Sequence, residues 1–138
     1  MENRTIGVAI LGLGTVGLGT WKVLNAQKDE MVHKLGATAE VKKILVRNVA
    51  KAAERTGHPE LITNDWQEIL NDPSIEIVIE LMGGINPAYT FVKQCLAAGK
   101  SVATSNKELV ASHGPELLAI AKENNVNFLF EASVGGGI

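Results

Sequence analysis

The stretch TIGVAILGLGTVG at residues 5–17 constrains this chain more than any other, because an apolar run breaks into glycines and then into a helical pattern. Ile6, Val8, Ala9, Ile10 and Leu11 read as a strand buried on both faces, which a central strand of a parallel sheet requires. Gly12, Gly14 and Gly17 follow in G-x-G-x-x-G spacing, with Leu13, Thr15 and Val16 between them. Gly12 permits a tight turn, Gly14 lets backbone approach a diphosphate, and Gly17 lets the helix pack closely on the strand. The helix start behind them offers unpaired N–H groups and a partial positive charge to phosphate. With a strand before it and a helix after it, the glycine pattern predicts dinucleotide binding; the competing reading is a merely structural turn.

Downstream of Gly17, Trp21, Leu24, Met31 and Leu35 recur at three-to-four spacing and meet a natural stop at Gly36, which predicts a crossover helix with Trp21 in the core. Residues 41–46, VKKILV, form the second predicted strand. Its carboxyl end delivers Arg47 and Asn48, with Lys51 close behind. Folds that take NAD usually place an Asp or Glu there to accept from the ribose 2′-hydroxyl, and none is present. Arg47 can instead engage a 2′-phosphate bidentately, with Lys51 adding charge. The expected cofactor is therefore NADP(H), with NAD as the alternative and a solvated arginine as the bland reading.

Short helices over 49–55 and 66–70 flank a Gly57-His58-Pro59 turn; Asn64 or Asp65 starts the second and Asp72-Pro73 ends it. Residues 75–81, IEIVIEL, read as a third buried strand, with Glu80 able to hydrogen-bond backbone in the crevice. They run into Met82, Gly83 and Gly84, where backbone can approach a ligand near the expected nicotinamide ribose. Pro87 is expected at the first position of a helix over 88–98 that closes at Gly99. Cys95 reads there as a buried, unreactive thiol. A fourth strand over 101–104 ends in Ser105-Asn106-Lys107, at the edge where ligands bind. Gly114-Pro115 is read as opening the last helix, over 116–124, and residues 127–132 as a fifth strand. The order of elements predicts a Rossmann-type, doubly wound α/β fold, mainly parallel, with helices on both faces.

A chain of 138 residues, 46% of them hydrophobic, suits one domain with one core, spanning 1–138. A net charge of −2 with scattered basic residues argues against nucleic-acid binding. One cysteine makes no internal disulfide, so a reducing, cytoplasmic setting is expected, and no Cys/His pair has zinc-ligand spacing. The apolar run after Glu2 is too short for a signal peptide, and no run approaches the roughly 20 residues of a membrane span. His33, His58 and His113 are dispersed, without a carboxylate at useful spacing, and read as surface or turn residues.

Several motifs together resemble the homoserine dehydrogenases: GLGTVG at 12–17, LVRN at 45–48, ELMGG at 80–84, TSNK at 104–107 and EASVGGGI at 131–138. The likeness covers the whole chain in order; Ser105 stands where the family usually has alanine. It implies an NAD(P)-dependent oxidoreductase interconverting L-homoserine and L-aspartate 4-semialdehyde, a step toward threonine, methionine and isoleucine. It further implies a homodimeric full-length protein of which this chain is the N-terminal nucleotide-binding part. The catalytic and dimerisation domain, with the principal acid/base lysine and its aspartate, would lie beyond Ile138, so the piece alone is expected to be inactive. By the same likeness Lys107 contacts cofactor or substrate, and Glu131, Val134, Gly136 and Ile138 surround a monovalent cation, typically sodium, largely through carbonyl oxygens.

Residue chemistry is compatible with these roles. A desolvated lysine can handle the alcohol proton if its pKa is pulled toward neutrality. A glycine-rich turn exposes the oxygens a hard cation takes. A different class of function is a non-catalytic NAD(P)-binding module that senses redox state or assembles with partners; Lys107 and the terminal glycine segment favour the enzyme.

Overall fold

The computed structural model describes residues 4–12 and 37–130. They fall into two compact units, residues 1–75 and 76–138.

In the first unit, strand β1 (Arg4–Leu11) pairs in parallel with β2 (Ala37–Leu45). Val8, Ala9, Ile10 and Leu11 are successive residues each no more than 1% exposed, so β1 is covered on both faces, as its unbroken apolar run requires. The register shifts between Val8 and Ala9, opposite Val41 and Lys43, leaving Lys42 as a bulge residue. A Cβ at Gly7 would lie 2.0 Å from the Ser74 carbonyl oxygen, so only glycine fits there. β2 starts four residues before the predicted 41–46, since ATAE carries no apolar signal but pairs along β1.

Helix α1 (Val49–Thr56) begins where the Asn48 carboxamide accepts from the Lys51 amide at 3.0 Å, and ends at Gly57, φ +72°. A 3-10 turn (Pro59–Leu61) leads into β3 (Ile62–Thr63), which pairs in parallel with β2. Sequence reading missed β3, because two residues show no periodicity. Asp65, not Asn64, caps α2 (Trp66–Leu70), accepting from the Gln67 amide at 3.0 Å.

β4 (Ile75–Glu80), in the second unit from Glu76 on, pairs in parallel with β5 (Ser101–Thr104), and β5 with β6 (Phe128–Phe130). Helix α3 (Ala88–Ala97) buries Ala88, Val92, Cys95 and Leu96, a stripe at helical spacing. It closes in a Schellman motif: Lys100 N–H donates to Cys95 at 2.9 Å, Gly99 N–H donates to Leu96 at 3.1 Å, and Gly99 has φ +86°. Pro87 is the N-cap rather than the first helical residue. Burial pushes the Cys95 thiol up to about 12, consistent with an inert core residue.

The largest departure is the last helix. α4 spans Lys107–Glu123, with Pro115 inside it. A proline reads as a start because it cannot donate to the preceding turn. Here Asn106 supplies the start instead, its carboxamide accepting from the Leu109 amide at 3.0 Å. Leu109, Gly114, Leu117 and Ala121 are buried, whereas Pro115 is exposed.

Candidate active site

Gly12 follows β1 with φ +84°, a backbone conformation that favours glycine, and its N–H donates to the Leu45 carbonyl at 2.8 Å. Gly12 thus has the backbone conformation that glycine was expected to supply at this point. Leu13, Gly14, Thr15, Val16 and Gly17, with the helix behind them and Trp21, lie outside the described residues. Arg47 follows β2 and is exposed, as is Lys51 in the first turn of α1.

The second unit holds a denser arrangement at the carboxyl ends of β4 and β5. Glu80 closes β4 and is 0% exposed. Its Oε2 accepts from the amides of Met82 at 2.7 Å and Gly83 at 3.3 Å, and from Asn106 Nδ2 at 3.5 Å. Its Oε1 accepts from the Thr104 hydroxyl. A carboxylate in an apolar strand is costly unless donors surround it, and here four do. The Thr104 oxygen in turn accepts from the Asn106 amide at 2.9 Å, and Asn106 Nδ2 also donates to the Gly84 carbonyl at 2.5 Å.

The backbone this carboxylate holds is the glycine turn after β4. Gly83 and Gly84 have φ of +75° and +72°, and nothing lies within 4 Å of a Cβ built at either. The turn therefore offers backbone unobstructed by side chains at these two positions.

Lys107 is the first residue of α4 and is exposed. A cation in the first turn faces the positive end of the helix dipole, so helix stability does not select it there. Ser105 and Lys107 line a cavity of about 170 Å³ together with Thr104, Asn106, Val110, Ala111 and Phe130. The structure thus brings Ser105 and Lys107 to one cavity, and two of its other lining residues, Thr104 and Asn106, bond the carboxylate that accepts from Met82 and Gly83. Glu131, Val134, Gly136 and Ile138 lie outside the described residues, as does His33.

Sequence reading gave Glu80 a backbone hydrogen bond and no more, and missed Asn106 as the joint between turn and helix. Signals existed: a carboxylate ending a buried strand before two glycines demands donors, and Asn106 precedes Leu109 at capping distance. The histidines also need correction. His58 Nδ1 sits 3.2 Å from Glu60, and His113 Nδ1 sits 3.4 Å from Glu116, one helical turn on, so both have carboxylate partners. Among the described residues no helix is long and apolar enough to cross a membrane.

Comparison with known proteins bears on the same residues. Residues 12–131 match the family described as homoserine dehydrogenase, NAD binding domain. The homoserine dehydrogenase of Bacillus subtilis is 40% identical over 135 residues, covering 98% of this chain and 31% of that protein. The crystal structure of a homoserine dehydrogenase from Thiobacillus denitrificans superposes with a TM-score of 0.83 at 41% identity, over 96% of this chain and 30% of the other. A hyperthermophilic archaeal homoserine dehydrogenase, solved in complex with NADPH, superposes with a TM-score of 0.70 at 26% identity, over 94% of this chain and 44% of the other. The chain thus spans about a third of the length of the Bacillus subtilis and Thiobacillus denitrificans relatives. Their likeness runs across both units, and the parallel strands with intervening helices are those of a Rossmann-type α/β fold. The chain belongs to the homoserine dehydrogenase family, and what it matches there is the NAD-binding domain.

Proposed function

We propose that this chain serves a full-length, homodimeric, cytoplasmic enzyme that interconverts L-homoserine and L-aspartate 4-semialdehyde on the route to threonine, methionine and isoleucine, with NADP(H) as its preferred cofactor. The observation that carries the reading is Lys107 on the wall of the cavity at the end of β5, in a chain of this family. When bound, the nicotinamide supplies or accepts the hydride. The protein's own work is to bind, orient and manage a proton. Residues 12–17 cradle the diphosphate at the helix start, and Met82, Gly83 and Ser105 hold the nicotinamide side. Lys107 stands at the substrate oxygen, donating to it in the aldehyde and taking part in removal of its proton in the alcohol.

Preference for NADP(H) rests on Arg47 and Lys51, two exposed cations where a carboxylate would select NAD, and an NADPH complex in the archaeal relative accords with it. A monovalent cation, taken to be sodium, is assigned to Glu131, Val134, Gly136 and Ile138 on their oxygen-donor chemistry.

Titration with NADPH and NADH, read by nucleotide fluorescence, tests the cofactor assignment: tighter binding of NADPH is expected, and equal affinity refutes the Arg47 argument. The full-length protein is expected to oxidise L-homoserine, with rate dependent on sodium, whereas the 138-residue chain alone does not turn over. A full-length protein inert toward homoserine removes the activity assignment.

A further inference from the structure

We propose that Glu80 and Asn106 are positioning residues that lock the glycine turn after β4 and the Lys107-bearing start of α4 into one unit. This deepens the proposed function and rests on its reading of Lys107. Glu80 Oε2 gathers the amides of Met82 and Gly83 and the carboxamide of Asn106, while Oε1 takes the Thr104 hydroxyl. Asn106 faces both ways: Nδ2 reaches the Gly84 carbonyl and Glu80, and Oδ1 accepts the Leu109 amide that starts α4. Lys107 is the next residue. Its backbone cannot shift without disturbing the Asn106 cap, and the cap cannot shift without releasing Gly84.

The network also explains why a carboxylate stands at position 80. The Thr104 oxygen accepts from the Asn106 amide, and because a carboxylate only accepts, the Thr104 hydroxyl is the donor to Glu80. Glutamine would offer one oxygen for two clusters of donors and turn its NH2 against either the Thr104 proton or the Met82 amide. Glu80 and Asn106 are 0% and 6% exposed, so water cannot readily stand in for a lost partner. Neither side chain needs to touch a ligand; each acts through what it holds.

Two reciprocal variants test this through amide hydrogen exchange, which does not depend on Lys107 having a chemical role. In Glu80→Gln an NH2 meets either the Thr104 proton or the Met82 amide, whereas the Leu109 amide is bonded to Asn106 and not to residue 80. Exchange at Leu109 is expected to rise about tenfold nonetheless. Asn106→Ser keeps an N-cap oxygen for Leu109 and deletes the amide that reaches Gly84 and Glu80, so exchange at Met82 and Gly83 is expected to rise about tenfold while Val102 in the sheet is unchanged. Acceleration confined to amides whose own acceptor was altered overturns the proposal.

In the full-length enzyme Asn106→Ser is expected to lower kcat about tenfold, to leave nucleotide KM within about twofold, and to add little in a Lys107→Ala background. A lower melting temperature with kcat unchanged, or an equal loss of kcat in both backgrounds, overturns it. If Lys107→Ala itself leaves kcat intact, the reading of Lys107 fails, and the exchange pair still decides whether turn and helix move together.

Discussion

Asn48 and Asn106 do the same local job in different surroundings. Each follows a parallel strand, caps a helix through a 3.0 Å bond from a backbone amide, and adjoins an exposed cation, Arg47 in one case and Lys107 in the other. Asn48 is exposed. Asn106 is 6% exposed and is tied to Gly84, Glu80 and, through its amide, Thr104. The difference matches what the proposed function asks of the two cations. Recognising a phosphate on the outer part of a nucleotide tolerates a flexible arm in water, whereas meeting a reacting oxygen requires a backbone that stays put.

The largest effect that could break this comparison comes from Thr104→Val, which keeps the shape and deletes the hydroxyl. Glu80 Oε1 and the Asn106 amide then lose their shared partner inside the protein, and the expected loss of unfolding free energy is about 2 kcal/mol. Denaturant unfolding measures it. The cap at Asn48 provides the contrast: Asn48→Ala is expected to lose only about 1 kcal/mol. Equal losses at the two sites would mean that burial does not set them apart.

That contrast also separates what was legible in the sequence from what was not. β1 announced itself through an unbroken apolar run, and Gly12, Gly57 and Gly99 marked ends where positive φ was needed. Such signals are local. The Glu80, Thr104 and Asn106 network was not legible, since its members stand 24 and 26 residues apart from Glu80 and meet only once β4 and β5 pair. The start of α4 was misplaced for a related reason: Gly114-Pro115 is a strong local punctuation mark, but the Asn106 cap and the buried Leu109, Leu117 and Ala121 carry the helix through it. Two-residue β3 has no pattern to read at all.

A smaller effect sharpens the comparison from the other side. Arg47→Ala is expected to weaken NADPH binding about tenfold, close to 1.4 kcal/mol, and to leave NADH affinity unchanged. Because Arg47 is exposed, unfolding free energy should stay within about 0.5 kcal/mol of the parent. Fluorescence titration of both nucleotides and a melting curve read the two quantities. Loss of stability together with affinity would place Arg47 in a supporting network like that of Asn106, and the contrast would fail.

The smallest expected effect concerns charges joined to one another but left in water. On the outer side of the second unit, Tyr89 donates to Glu116 at 2.7 Å, Lys93 lies 3.3 Å from the same oxygen, and the His113 ring stacks on Tyr89 with centroids 4.0 Å apart. The Tyr89 hydroxyl, ahead of the Lys93 ammonium, holds the Glu116 carboxyl below the usual carboxylate range. The Tyr89 oxygen, followed by Glu116, holds the Lys93 ammonium above the usual lysine range. Glu116, with its folded pKa depressed, contributes stability above its unfolded pKa and loses it as pH falls through the folded value. Lys93, with its pKa raised, contributes below its unfolded value and loses it as pH rises through the folded one. The α3–α4 clamp is therefore complete near neutrality and weakens at both extremes. The melting-temperature difference between the parent and Glu116→Gln should shrink from about pH 7 to about pH 3, and shrink also in high salt, because exposed pairs are screened. A difference as large as that of Thr104→Val, and insensitive to salt, would show that connectivity without burial is enough to make a charged group structural, and Arg47 would then need only a partner to become so.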